Sequence, residues 1–365
     1  MKINLDLETI DNRLSNKKLP ILIAGPCSAE SEEQVVKTAM QLSKIGKVTA
    51  FRSGIWKPRT RPGMFEGVGK VGLQWLKTAK QESGLAVATE VASAEHVEAA
   101  IENEVDILWI GARSSVNPFV VQSIADALKG TDVTVMVKNP VNPDLQLWLG
   151  ALERLNKAGI KKLAAIHRGF STYRKMEFRN DPIWNIPLDL KTLCPNLPII
   201  CDPSHITGNR NLIASVSQKA LDLNFDGLMI ETHINPEVAL SDAEQQITPE
   251  NLAKIVTQLI IRQPFSHNPH FCSVLEKLRS EIDLIDDDLI HKFSARMKIA
   301  EKIGLYKRDN GVTIFQLSRW DEIMNHRIKL GIELGLSQIF MENLLTLIHQ
   351  ESIRVQTVVM NKEEK

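Results

Sequence analysis

Short apolar runs rich in β-branched residues recur along the chain as far as residue 262. They are Ile21–Ala24, Val48–Phe51, Leu85–Thr89, Ile107–Ile110, Val133–Val137, Leu163–Ile166, Ile199–Cys201 and Gly227–Ile230. An unbroken apolar run has no face suited to water, so each strand should be covered on both sides, as in a parallel sheet. Most of the gaps hold helical periodicity, as at Glu33–Ile45, Gly69–Glu82, Ala94–Asn103, Leu145–Ala158 and Asn209–Leu221. Eight strand–helix units in this length predict a (β/α)8 TIM barrel, an α/β fold. A doubly wound open sheet competes, but it usually has fewer strands, and no GxGxxG follows the first run.

The texture changes after Arg262. The stretch Arg262-Gln263-Pro264-Phe265-Ser266-His267-Asn268-Pro269 has two prolines and no periodicity, and reads as a linker. Beyond it, Leu275, Leu278, Ile282, Ile285, Leu289, Phe293, Ile299 and Ile303 repeat at three-to-four spacing and predict one long helix. Gly311 interrupts it, and two shorter helices are predicted over Phe315–Leu330 and Gln338–Val359. The predicted organisation is a barrel domain over 1–262, a linker over 263–271 and a smaller all-α three-helix domain over 272–365. A helix much longer than its neighbours cannot bury its length against them, so this domain is expected to form a homodimer.

Charge narrows the function. Lys+Arg and Asp+Glu are both 44. A neutral chain is not a generic nucleic-acid or anionic-membrane binder, and anion recognition must come from local clusters. No apolar run is long enough to span a membrane, and the first residues, MKINLDLETIDNRL, lack an apolar signal segment. The four cysteines, Cys27, Cys194, Cys201 and Cys272, are widely spaced without a CxxC pair, which suits a reduced, cytoplasmic protein.

The residues that follow the strands carry the chemistry. In order they are Cys27, Arg52 with Lys57, Glu90, Arg113, Lys138, Arg168, His205 and Glu231. A barrel gathers all eight carboxyl ends on one face, where active sites lie. Cys27, His205, Glu231 and Asp242 together suit a divalent first-row ion such as Mn, Fe, Co or Zn. A buried structural cysteine and a helix-capping aspartate are the plainer reading of the same residues. The stretch from Arg52 to Arg61 holds four cations, and Arg113, Lys138 and Arg168 add to it. Guanidinium forks and lysine ammoniums suit carboxylate and phosphate. A solvated basic loop would explain the stretch, but not Lys138 behind the apolar Val133–Val137. In the long helix, Arg296 and Lys307 fall close to the apolar stripe and Arg279 one residue from it. They read either as a pocket for a small polyanion or as snorkelling cations paired with Asp283, Asp286 or Glu301.

The segments GPCSAE (25–30), FRSGIWKPRT (51–60), GARS (111–114), DPSH (202–205) and E-x-H…LSD (231–242) give the first part a specific resemblance. It is similar to the 3-deoxy-D-arabino-heptulosonate 7-phosphate (DAHP) synthases of the type I beta group, in order over nearly all of residues 20–245. The resemblance implies condensation of phosphoenolpyruvate with erythrose 4-phosphate, the first step of aromatic biosynthesis. It implies Cys27, His205, Glu231 and Asp242 as ligands of a divalent metal ion, Mn2+ ahead of Fe2+, Co2+ or Zn2+. Arg52, Lys57 and Lys138 would hold the carboxylate side of phosphoenolpyruvate, and Arg113 and Arg168 its phosphate. Lys57, Pro58, Arg59 and Thr60 would meet erythrose 4-phosphate. The related 3-deoxy-octulosonate 8-phosphate synthases share the barrel but commonly carry a KANR-like segment where this chain has KPRT. Two places depart from the group: His167 stands where an acidic residue is common, and Asn-Pro follows Lys138.

The segment LRSEIDLIDDDLIHKFSARMKIAEKIGLYK (278–307) resembles the first helix of the all-helical chorismate mutases. On that frame Arg279, Arg296 and Lys307 fall on functional positions, with Arg319 and Gln356 matching others in the second and third helices, and Gln316 is expected to bind chorismate or prephenate with them. The resemblance implies rearrangement of chorismate to prephenate. It places Lys307 and Gln356 on the ether oxygen, and brings Arg279 from the other subunit. Gln316 stands where an Asp is frequent, and Trp320 where a Glu usually contacts the hydroxyl. The helical domain is therefore expected to be a mutase, to act as a prephenate-binding regulatory module, or to do both.

Overall fold

The computed structural model describes residues 2–10, 20–58, 63–173 and 177–361. It divides into two compact units, Met1–Pro264 and Phe265–Lys365.

In the first unit β1 (Ile21–Gly25), α1 (Glu32–Ser43), β2 (Ala50–Arg52), α2 (Val71–Ser83), β3 (Ala86–Val91), α3 (Ala94–Glu102) and β4 (Ile107–Ile110) are followed by α4 (Pro118–Ala127), β5 (Thr134–Lys138), α5 (Leu145–Lys157) and β6 (Leu163–His167). Then come α6 (Asn185–Leu193), β7 (Ile199–Cys201), α7 (Pro203–Thr207), α8 (Ile213–Asp222), β8 (Gly227–Glu231) and α9 (Pro249–Gln258). The strands close into a parallel barrel in sequence order. β1 pairs with β8 from Ile21↔Gly227 to Gly25↔Glu231, so the ends of the first and last strands lie side by side. Side-chain oxygens start the helices: Ser31, Ser93 and Asp144 accept from the amides of Gln34, His96 and Leu147.

The alternation of a strand decides what faces where. Ile21 and Ile23, Ala86 and Ala88, Ile107 and Trp109, Ala164 and Ile166 point inward, with Met136, Ile200 and Met229, and form a core inside the barrel. Their neighbours Leu22 and Ala24, Leu108 and Ile110, Val135 and Val137, Leu163 and Ala165 face outward against the helices. Residues 2–10 lie across the end at which the strands begin. There the Ile3 amide donates to the Leu193 carbonyl (2.9 Å) and the Glu8 amide to that of Lys161 (3.1 Å). Ile10, 3% exposed, joins the inner core.

The second unit is helical: α10 (Pro269–Asp309), α11 (Leu317–Glu333) and α12 (Gln338–Met360). α10 is 41 residues long, about 60 Å at 1.5 Å per residue. It begins inside the segment 263–271 that the sequence reading assigns to a linker. Asn268 caps the amides of His270 and Phe271, and Pro269 occupies the first turn, where a missing amide costs nothing. Asn310 and Gly311, the latter at φ +65°, end the helix. α10 meets α12 through Gly304, where a Cβ would lie 2.7 Å from Val359 Cγ2. Towards its start it is bare: Leu278, Ile282, Ile285 and Leu289 are 49–60% exposed. Among the described residues, no helix is long and apolar enough to cross a membrane.

His167 follows the outward parity of β6. It is fully buried among Trp148, Phe170, Trp184 and Phe225. Burial, with Arg168 alongside, pushes its pKa down to about 3. In the unfolded chain the ring protonates near its ordinary pKa of about 6.5, so the unfolded state binds more protons between these values. Stability contributed by this group therefore falls as pH falls from about 6.5 to about 3, by about 1 kcal/mol per pH unit. His167→Phe should flatten that part of the stability–pH curve, read by denaturant unfolding at pH 7, 5.5 and 4. Wild-type and variant curves that stay parallel would contradict this account.

Candidate active sites

The inward faces of the strands continue into charge at the barrel mouth. Two positions beyond Ala50 is Arg52, beyond Ala88 is Glu90, beyond Met136 is Lys138, beyond Ile166 is Arg168, beyond Ile200 is Asp202 and beyond Met229 is Glu231. Arg52 is 1% exposed. Its guanidinium donates to the Cys27 carbonyl (3.1 Å), lies 3.2 Å from Glu231 Oε1, and stacks over Trp109 at 4.8 Å. Lys57 Nζ donates to the Cys27 carbonyl (3.0 Å) and to its Sγ (3.1 Å), and the thiol donates to Asp242 Oδ2 (3.2 Å). Lys138 Nζ is 2.9 Å from Asp202 Oδ2, and the same carboxylate is 2.8 Å from His205 Nδ1. His205 Nε2 faces Glu231 Oε1 at 3.7 Å.

These contacts draw three of the four predicted metal residues tightly together. One ligand atom each of Cys27, Glu231 and Asp242 lies within 4.8 Å of the others; His205 stands outside that group, its Nε2 3.7 Å from Glu231 Oε1. Glu231 Oε1 is buried and accepts no hydrogen bond among the described residues. A sulfur and two carboxylates brought together, with an imidazole alongside, fit a divalent transition-metal ion. Asp242 sits in the left-handed region at φ +50°, unusual for a residue other than glycine, and turns its carboxylate into the cluster.

The electrostatics follow from burial. Burial and the nearby Glu231 push the Cys27 thiol up to about 12. Burial works against the Lys57 ammonium, but Cys27 and Glu90 outweigh it and raise its pKa. Burial likewise opposes the charged forms of Asp202, Glu231 and Asp242. His205, with Lys138, Arg52 and Arg179 respectively, overcomes it and holds all three carboxylates below their usual range. Burial, with Lys138 nearby, lowers the His205 pKa against the pull of Asp202 and Glu231. Arg168 is brought down to about 10 by burial, against Asp202 and with Arg179 and Arg113 repelling it, and stays charged at neutral pH. Crowded guanidiniums of this kind suit an incoming anion.

Lys57, Pro58, Arg113, Lys138, Arg168, Arg179, His205 and Asp242 line one open cleft of about 220 Å³. Arg59 and Thr60 lie outside the described residues. Several residues here were not singled out from sequence. Asp202 anchors Lys138 and His205, and the inward parity of β7, Ile200 then 202, marks it. Arg179 Nη1 donates to Asp242 Oδ1 (2.8 Å) and Gln245 (2.7 Å), and Gln245 Nε2 donates to Glu231 Oε2 (2.6 Å). Gln246 Oε1 accepts from the Cys27 amide (3.0 Å). Neither Arg179 nor the glutamines follow a strand directly, so no strand-end signal reaches them. Asn139, in the departure after Lys138, accepts from the Arg168 amide (2.7 Å) and donates to the Gly169 carbonyl (2.8 Å), fixing the turn that carries Arg168.

In the helical unit, Arg296 Nη1 donates to Ser352 Oγ (2.5 Å) across the α10–α12 groove, and Lys307 Nζ donates to the Ile314 carbonyl (2.6 Å). Gln356 is buried beside Gly304, and its Oε1 accepts no hydrogen bond among the described residues. Gln316 precedes the first turn of α11. Arg319, more than half exposed, pairs with Glu322 at 2.6 Å. Arg279 is exposed and faces Glu276 at 3.8 Å. It lies 17 residues before Arg296, about 25 Å along the helix, and does not reach this groove within one chain.

Residues 8–262 match the DAHP synthetase I family model. The chain belongs to that family. Residues 278–357 match the chorismate mutase type II model, so a member of the DAHP synthetase I family is here joined to a mutase domain. The chain is 33% identical over 238 residues to a phospho-2-dehydro-3-deoxyheptonate aldolase of Thermotoga maritima, covering 65% of this chain and 68% of that protein. It is 28% identical over 274 residues to a 2-dehydro-3-deoxyphosphooctonate aldolase of Wolinella succinogenes, covering 66% and 98%. The crystal structure of the Thermotoga maritima DAHP synthase superposes with a TM-score of 0.59 at 32% identity, covering 65% of this chain and 67% of that one. A (β/α)8 barrel followed by a chorismate-mutase-like helical unit, the fold read from sequence, is therefore the fold of this family member. Both domains are enzymes of aromatic biosynthesis, and the fusion is a bifunctional shikimate-pathway enzyme.

The turn that presents Cys27 tolerates little change. Gly25 has φ +147°, and a Cβ there would lie 2.0 Å from the Arg52 carbonyl oxygen, a backbone atom. Gly25→Ala is expected to cost about 3 kcal/mol or more in denaturant unfolding. An unchanged unfolding midpoint would contradict the close approach of β1 and β2.

Proposed function

We propose that the barrel condenses phosphoenolpyruvate with erythrose 4-phosphate to give DAHP and phosphate, and that the helical unit rearranges chorismate to prephenate. The observation that carries the first reading is the set of Lys57, Arg113, Lys138 and Arg168 lining one cleft with His205 and Asp242, in contact with a buried group of Cys27, Arg52 and Glu231. Arg52, Lys57 and Lys138 suit the phosphoenolpyruvate carboxylate. Arg113 and Arg168 suit its phosphate, and Asn139 fixes the turn from which Arg168 projects. Lys57, Pro58, Arg59 and Thr60 are assigned to erythrose 4-phosphate. The KPRT segment and the greater identity to the heptonate aldolase favour this aldehyde over the one taken by the octonate enzymes.

Cys27, His205, Glu231 and Asp242 are the residues that would hold the divalent ion, Mn2+ first among Fe2+, Co2+ and Zn2+. Bound there, the ion supplies Lewis-acid polarisation of the aldehyde oxygen. Asp202 positions His205 through Nδ1 and so turns Nε2 towards the cluster. C3 of phosphoenolpyruvate bonds to the aldehyde carbon, and Lys57, charged and inside the site, donates a proton to the resulting alkoxide. Water adds at C2 and phosphate leaves towards Arg113 and Arg168.

The mutase reaction needs no nucleophile. Arg296 and Arg319 hold substrate carboxylates, Gln316 is assigned to the same substrate, and Lys307 and Gln356 donate to the ether oxygen as its C–O bond breaks. Arg279 completes the pocket from a second copy. The bare apolar stretch of α10 supports a homodimer through this unit. A pocket that makes prephenate also binds it, which supports feedback on the barrel. Trp320 in the pocket wall supports a regulatory share for this unit. Widely spaced free cysteines support a cytoplasmic location.

One paired assay on the full chain tests both readings. Cys27→Ala should lower heptulosonate formation at least 100-fold and leave chorismate turnover within twofold of wild type. Lys307→Ala should do the reverse (about 3 kcal/mol for one such electrostatic contact). Full condensation activity in Cys27→Ala after stringent chelation, or a near-wild-type mutase rate in Lys307→Ala, would overturn the corresponding assignment.

A further inference from the structure

We propose that His349 is a substrate-binding residue of the helical unit, its Nε2 pairing with the ring hydroxyl of chorismate. The inference rests on the mutase reading and deepens it. His349, Ser352 and Gln356 stand at i, i+3 and i+7 on α12, so they share one face. Ser352 in the middle accepts from Arg296. Gln356 packs against Gly304 of α10, and Lys307, three residues further along α10, reaches the carbonyl of Ile314. Phe315, the next residue, meets the His349 ring edge-on at 5.8 Å, and Trp320 stacks on it at 4.1 Å with planes 28° apart. The imidazole is therefore fixed from two sides in the groove that carries Arg296 and Lys307.

Its Nε2 is buried and has no hydrogen-bond partner among the described residues, as is true of Gln356 Oε1. An unsatisfied buried imidazole nitrogen is unfavourable in the free protein, and the hydroxyl of a bound ligand can satisfy it. Burial, with Arg296 and Lys307 close by, lowers the imidazole pKa, so the ring is neutral at physiological pH. A neutral imidazole is a poor partner for a carboxylate that guanidiniums and an ammonium can take. A hydroxyl can donate or accept, and so pairs with whichever tautomer the ring adopts. Chorismate carries two carboxylates, one ether oxygen and one ring hydroxyl. The cations match the first, Lys307 and Gln356 the second, and His349 is left for the third.

The test compares the full-length wild type, His349→Leu and His349→Asn on chorismate and on its analogue lacking the ring hydroxyl. The wild type should lose at least 10-fold in kcat/KM on the analogue. His349→Leu should lose about as much on chorismate but less than threefold on the analogue, and His349→Asn should recover part of the loss on chorismate. A general packing role for His349 would lower both substrates equally in His349→Leu and overturn the proposal. So would unchanged rates on both. A wild-type chain that does not convert chorismate at all would overturn the mutase reading, and the inference with it.

Discussion

Arg52 and Glu231 are both almost completely buried, and neither charge is tolerable inside a barrel without the other. Their pairing sits at the point where β1, β2 and β8 end, and the rest of the first site is arranged around it. The same guanidinium holds the Cys27 carbonyl, and the same carboxylate faces His205 and is gripped by Gln245. Lys138 and Asp202 repeat the arrangement across the mouth. Removing one partner of such a pair typically costs about 3–5 kcal/mol, because the remaining charge is left buried. The ligands on which the proposed chemistry depends are thus held by charge balance as much as by packing. On the open side Arg113 and Arg179 both repel Arg168, which favours an incoming anion.

The barrel was legible because its strands are buried on both faces and therefore read as plain apolar runs. The positions of the chemistry were legible because side chains alternate: the inward face is apolar along the strand and polar two residues past its end. Lys138 and Glu231 follow this rule directly. Asp202 follows it too, yet within DPSH the histidine draws attention first. Arg179, Gln245 and Gln246 could not be reached this way. They sit in loops whose course is set by contacts far along the chain, such as the Cys27 amide to Gln246. α10 starts inside the stretch that reads as a linker for a related reason. Pro269 looks like a breaker in a linker, but after the Asn268 cap it starts the helix.

The helical unit shows the opposite balance. Periodicity gives its three helices almost completely, while its groove is half-open within one chain: Arg279 stands far from Arg296, and much of α10 is bare. A second copy would supply both the missing cation and the missing cover. Trp320 and His349 form an aromatic wall on this groove, a feature that neither residue announces alone and that only the folding of α11 against α12 creates.

The central claim is that the buried charge pairs at the barrel mouth assemble one metal site beside one anion pocket. Anomalous diffraction at the manganese edge, from crystals grown with Mn2+ and phosphoenolpyruvate, tests it most directly. The account predicts a single strong peak within about 2.0–2.5 Å of ligand atoms of Cys27, His205, Glu231 and Asp242, with the phosphate of phosphoenolpyruvate on Arg113 and Arg168. Phosphoenolpyruvate bound in the cleft with no peak at these four residues, or with the peak elsewhere, would contradict it.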